Sequence, residues 1–227
     1  MFWSAAPYHK RRAPGPPWGN PQIQMLLQVP GGIKQYLRPG EMILLCAALL
    51  PILAARCPLC RRPHRLRLHG TYTRFAVTDS ACHLISVQRH FCPQTGRTLS
   101  LLPDFLVPHK QALTSVFAAF FQGFLWLGLE LSVAIRAASI HFASRQTARY
   151  WCGAVLARCA ALRAYAAHLS PAARGASTPA LHPPVEGELR RQVDALLSPI
   201  LRGAEDLPGA FTTHSRQLHA ATGVALV

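Results

Sequence analysis

The 227-residue sequence predicts an α+β chain, a small three-stranded β module followed by a helical domain. Two observations predict it. Between Cys57 and Leu102 polar and apolar residues alternate with a period of two, the pattern of half-buried strands, whereas beyond Pro103 and Pro108 the apolar residues recur at helical spacing. Half of the residues are hydrophobic, too many for wholesale disorder and enough for a small core.

Taken in order, residues 1–41 contain APGPPWGNP and VPGG and read as a flexible Pro/Gly-rich leader without a sustained helix or central strand. Patterned sequence begins at Met42, which is expected to be able to serve as an internal start, and apolar Ile43–Ala55 is expected to lie on the module that follows. Strands are expected over Arg65–His69, Thr71–Val77 and Leu84–Phe91, with Gly70 and Thr78-Asp79-Ser80 as turns. The module, residues 42–102, is small for its strand content and needs a staple. Helices are expected over Gln111–Leu127, Ser132–His141 and Ser144–His168, making a domain of residues 103–170 with Gly128 and His141-Phe142-Ala143 as breaks. Residues 171–227 read as a linker and tail, in which Leu189, Val193, Leu196, Leu197 and Ile200 define an amphipathic helix over Glu186–Leu201 before a weakly patterned end.

The chain carries 24 Lys and Arg against 9 Asp and Glu, a net charge of +15. Between Met42 and Val185 there are 15 basic residues and only three acids, Asp79, Asp104 and Glu130. Such a field attracts polyanions, because neutralising phosphates releases their counterions. Seven cysteines without the dense spacing of a disulfide scaffold, and no signal-like segment at the N-terminus, favour a reducing intracellular compartment. One uncharged run, Ala112–Leu129, reaches the threshold length of a membrane span, so a small basic membrane-associated protein is the alternative reading.

Cys57-Pro58-Leu59-Cys60 is a C-x2-C knuckle, in which two thiolates one tight turn apart can bind the same Zn2+. Strands follow it, and Cys92-Pro93-Gln94-Thr95 falls where a zinc ribbon places its second knuckle, so the β module is expected to be zinc-ribbon-like. Thr95 stands where a fourth cysteine would, and a neutral hydroxyl is a poor zinc ligand. His90, two residues before Cys92, is the expected substitute, with His64 and Cys82 as further options. Two other readings of the cysteines stay open: small core residues, or a redox C-x-x-C. Arginines of the module, Arg65 and Arg67 among them, suit phosphate contacts.

The stretch Ser132–Trp151 reads as two helices joined by a short turn, a helix-turn-helix, with Ser144 placed to cap the second helix. Ala148, Trp151 and Val155 share its apolar face. Arg145, Gln146 and Arg149 then point outward near its start, where a recognition helix reaches base edges, and Arg and Gln pair with guanine and adenine.

CPLC, RHFCPQTGRTLSLLPDFLVP and SVAIRAASIHFASRQTARYW together resemble the zinc-ribbon plus helix-turn-helix module of transposase-related proteins from bacterial mobile elements, an uncharacterised family with this arrangement among them. The resemblance spans Cys57–Leu169, about half of the chain. It implies metal-binding roles for Cys57, Cys60 and Cys92 and a recognition role for Ser144–Trp151. Thr95 departs from its pattern.

A transposase nuclease core needs three carboxylates holding two metal ions. After the helix-turn-helix only Glu186, Glu188, Asp194, Glu205 and Asp206 remain, and no phosphate-binding loop, zinc-protease or nucleophile-elbow motif is present. The sequence therefore predicts a non-enzymatic, sequence-directed DNA-binding protein: an accessory, a regulator or a truncated transposase. Its expected partners are double-stranded DNA and a second copy or a transposase, in the cytoplasm at the nucleoid, with Zn2+ as cofactor.

Overall fold

In the computed structural model, residues 25–29, 33–37, 50–107, 110–142, 144–169 and 185–222 are described. The chain is α+β as the patterning predicts, an antiparallel β2–β3–β4 sheet followed by helices. Most of the expected leader, the residues before Leu50 in the expected apolar segment, and the linker 171–184 lie outside the described residues.

The leader nonetheless contributes structure. Met25–Val29 forms β1, which pairs in parallel with β4, and Ile33–Leu37 forms the short helix α1, whose Tyr36 is buried edge-on against Phe105. The Pro/Gly composition hides a five-residue apolar edge strand, for which neighbouring prolines are no obstacle. Residues 50–55 are helical (α2) and lead into the Cys57 knuckle.

The strands also divide differently from the expectation. Gly70 is not a turn: β2 runs unbroken from Arg67 to Val77, and the register skips His69 between Leu68 and Gly70. A lone glycine at φ +107° can absorb one extra residue as a bulge. The other expected turn, Thr78-Asp79-Ser80, is where the chain reverses, and the Thr78 hydroxyl accepts there from the Ala81 N–H at 2.8 Å. β3 spans Cys82–Cys92, and the third antiparallel strand, β4, is Arg97–Pro103. Sheet order is β1-β4-β3-β2. Since β4 covers only Gln88–Cys92 of β3, the rest of the β2–β3 hairpin extends beyond it as a two-stranded ribbon.

The expected helix Gln111–Leu127 is α3 (Thr114–Phe121) continued by one π-helical turn, Gln122–Trp126, and stopped at Gly128, whose φ is +70°. α4 is Leu131–Ala138 and α5 is Arg145–Leu156; a turn at Ala157-Arg158 separates α6, Cys159–Leu169, from what the sequence reads as one helix. α7 occupies Glu186–Leu201 as expected, and the weakly patterned end is a further helix, α8, Leu207–Thr222.

The last two helices belong to the core rather than to a detachable tail. Phe117, Phe120, Phe121 and Phe124 are fully buried; Phe117 meets Trp151 of α5 at 4.3 Å and stacks on Phe211 of α8 at 6.2 Å. Val193, Leu196, Leu197 and Ile200 close the core from α7. The apolar face of α7 thus finds its partner within the chain. The aromatic residues of 112–129 likewise pack inward, and no helix among the described residues is long and apolar enough to cross a membrane.

Candidate metal centre and helical surface

Four ligand atoms converge at the end of the sheet. The sulfurs of Cys57, Cys60 and Cys92 and a ring nitrogen of His64 all lie within 4.8 Å of one another, and Cys57 and Cys92 are buried. His64 Nε2 is 3.1 Å from Cys60 Sγ and 3.4 Å from Cys92 Sγ. Tetrahedral ligands on Zn2+ stand about 3.3–3.8 Å apart, so the cluster needs only small adjustments to close on such an ion.

The local backbone builds this arrangement. The Arg61 N–H donates to the Cys57 carbonyl at 2.7 Å, and Arg61 adopts the left-handed conformation, φ +60°, which turns the chain back so that the Cys57 N–H reaches the Arg62 carbonyl. The His64 N–H then donates to Ala54, fixing the residue beside the knuckle. His64 Nδ1 lies 3.1 Å from the Arg65 carbonyl, so its N–H donates there and the Nε2 lone pair faces the thiols.

Cys92 comes from the β3–β4 hairpin, where the Gly96 N–H donates to the Cys92 carbonyl at 3.0 Å. Burial pushes its thiol up, but the Thr95 hydroxyl, the Thr95 and Gln94 N–H groups and Cys57 outweigh burial and bring it down to about 6. Thr95 therefore acts on the sulfur from the place a fourth cysteine would take. Burial raises the Cys57 thiol, against the N–H groups of Cys60 and Leu59.

His90, the substitute ligand expected from the sequence, is not in the cluster. Two residues along a strand advance it about 6.6 Å from Cys92, one pleat repeat into the sheet. There it pairs with Leu68 and Leu99, is almost fully buried, and has no hydrogen-bond partner among the described residues for either ring nitrogen. Burial lowers its pKa. Cys82 is exposed at the opposite end of β3.

Arg65 and Arg67 are exposed next to the cluster, as are Arg61, Arg62 and Arg97. On α5, Ser144 caps the helix by accepting from the Gln146 N–H at 3.2 Å. Ala148, Trp151, Cys152 and Val155 face the core, while Arg145, Gln146, Arg149, Tyr150 and Gly153 form one exposed stripe. Arg145 is ion-paired with Glu186 of α7 at 2.7 Å, a partner that sequence spacing does not reveal. The ribbon tip meets the α4–α5 turn: the Ser139 hydroxyl donates to the Thr78 carbonyl at 2.7 Å and the Ile140 N–H to Asp79 at 3.0 Å.

Residues 57–124 match the model of a family described as Domain of unknown function (DUF6431). The match begins at Cys57 and takes in all four clustered side chains, the ribbon and α3. No curated protein and no solved structure matches the chain.

Proposed function

We propose that the chain is a non-enzymatic, sequence-directed binder of double-stranded DNA, related to transposases as an accessory, a regulator or a form lacking the nuclease core. Its α4–turn–α5 unit serves as the helix-turn-helix. The observation that carries the reading is the α5 stripe. Gln146 and Arg149 are exposed on a capped helix whose opposite face is locked against Phe117 and Phe120 by Trp151. A rigid helix with Arg and Gln near its start has the residues and the placement that base readout requires.

Cys57, Cys60, His64 and Cys92 would hold Zn2+ as a structural ion, the fourth ligand being His64 rather than His90. A closed four-ligand site without an open position staples a small module and supplies no catalysis. Surplus positive charge, +15 over the chain, supports a polyanionic partner.

Selection of a preferred duplex from random sequences, followed by titration of Arg149→Ala, tests the reading. The substitution is expected to cost about 1–3 kcal/mol on the selected site and to relax base choice there. Equal loss on selected and random duplex would make Arg149 a phosphate contact, and absence of duplex binding at low salt by folded protein would remove the function.

A further inference from the structure

The bulge in β2 decides which arginines share a face. Arg67 stands opposite Phe91, Gly70 opposite Arg89 and Arg74 opposite Ile85. Phe91, Arg89 and Ile85 are alternate residues of β3 and therefore project to one side. Seven positions apart, Arg67 and Arg74 would point to opposite sides of a regular strand; the unpaired His69 brings them to the same side.

Aromatic rings interleave these cations. The Arg89 guanidinium lies 4.4 Å from the centroid of the Tyr72 ring, next to the space that Gly70 leaves open. Arg74 is largely buried and donates to the Lys110 carbonyl, which places the Lys110 ammonium 4.3 Å over Tyr150, the exposed neighbour of Arg149 on α5. Ion pairs among the described residues engage Arg145, Arg191 and Arg216, and none of the cations of this row. The row is held at both ends: the metal-ligand cluster lies beyond Arg67, and Val77 is bonded to Gln111 and Leu113 where the ribbon meets the helices.

We propose that Arg67, Arg89 and Lys110, the last held in place by Arg74, form a phosphate track that runs into Arg149 and follows the duplex beyond the bases under α5. This rests on the DNA-binding reading above. From Arg67 to Arg74 the strand advances about 20 Å, the axial rise of about six base pairs at 3.4 Å each. The track therefore adds length to the footprint and sequence-independent affinity, not base choice.

The test is the salt dependence of binding by the full chain to random-sequence duplexes of about 10 and about 24 base pairs, each neutralised phosphate contributing about 0.9 to the slope. Arg67→Gln and Lys110→Gln should each reduce the slope by about one unit on the long duplex and leave the short one unchanged. Arg202→Gln, an exposed change at the end of α7, should alter neither. In Arg67→Gln/Leu68→Arg the charge moves to the other face, since Leu68 stands opposite His90, and the slope should stay low. Restoration by that double variant, or wild-type slopes for Arg67→Gln and Lys110→Gln while Arg149→Ala still weakens binding, would overturn the track and leave the helix-turn-helix reading standing. A folded, metal-loaded chain that binds neither duplex would overturn both.

Discussion

Glu186 of α7 receives a hydrogen bond from the Arg145 guanidinium at the start of α5, at 2.7 Å, and a second, at 2.9 Å, from the Leu131 N–H at the start of α4. One carboxylate thus ties the first turns of both helices of the candidate helix-turn-helix. It also supplies the cap that α4 lacks, since Glu130 makes no side-chain capping bond of its own.

This pairing predicts an acid-sensitive contribution to stability. Burial would raise the Glu186 carboxyl, but the Leu131 N–H and Arg145 outweigh it and hold the group below its ordinary value. A depressed folded-state pKa gives stabilisation that is complete above the unfolded-state carboxyl value and lost as pH falls through the folded one. Glu186→Gln should lower stability at neutral pH by about 1 kcal/mol and flatten the acid limb of the pH–stability curve. An unchanged acid limb in thermal melts would show that the contact contributes nothing.

Metal retention separates the two histidines. Purified chain should contain about one zinc, which Cys57→Ser or His64→Ala should release with a fall in melting temperature. His90→Leu should keep the metal and, by removing a buried imidazole whose nitrogens lack partners among the described residues, should stabilise by about 1 kcal/mol. Metal loss in His90→Leu but not in His64→Ala, read by elemental analysis, would reverse the ligand assignment.

Removal of the C-terminal helices should unfold the helical body. Phe211 stacks on both Phe117 and Phe121, so Phe211→Ala should cost about 3–5 kcal/mol. A chain ending before Glu186 should lose its near-ultraviolet signal; a cooperative melt in that truncation would show that the body folds without α7 and α8.

The junction between ribbon and helices rests on Ser139. Its hydroxyl donates to Thr78 and accepts from the His141 N–H, and the residue is almost fully buried. Ser139→Ala should destabilise by about 1–2 kcal/mol and raise amide exchange at Ala81 and Ile140. Unchanged protection at both amides would mean that the tip is held by other contacts.

Period-two and helical patterning made the α+β order, the Ser144 cap and the core face of α5 legible, because each is local. Elements set by distant partners were not. β1 is five residues of edge strand whose pairing depends on β4, far along the chain, and its proline-rich surroundings mask it. Gly70 reads as a turn in any local window; only pairing with β3 makes it a bulge. The spacing Cys57-x2-Cys60-x3-His64 carries a signal for the fourth ligand, yet proximity to Cys92 in sequence favours His90, and only the pleat shows that His90 lies too deep. For α8 the signal was present: the Asp206 carboxylate accepts from the Gly209 N–H at 3.1 Å, and Phe211, Ser215 and Leu218 recur on a buried face.

The parallel pairing of β1 with β4 also bears on the order of assembly. Met25 meets Leu99 across a loop of roughly seventy residues, whereas β2, β3 and β4 join through short reversals. Loop-closure entropy makes such a long-range contact slow to form relative to neighbouring hairpins. The antiparallel meander can therefore form first, leaving the outer side of β4 as an open strand edge until the N-terminal segment arrives. During synthesis that segment emerges from the ribosome first and must wait for its docking site to be made. In that interval the uncovered edge is where another chain could add a strand, so the newly made protein is most exposed to intermolecular pairing before β1 closes the sheet.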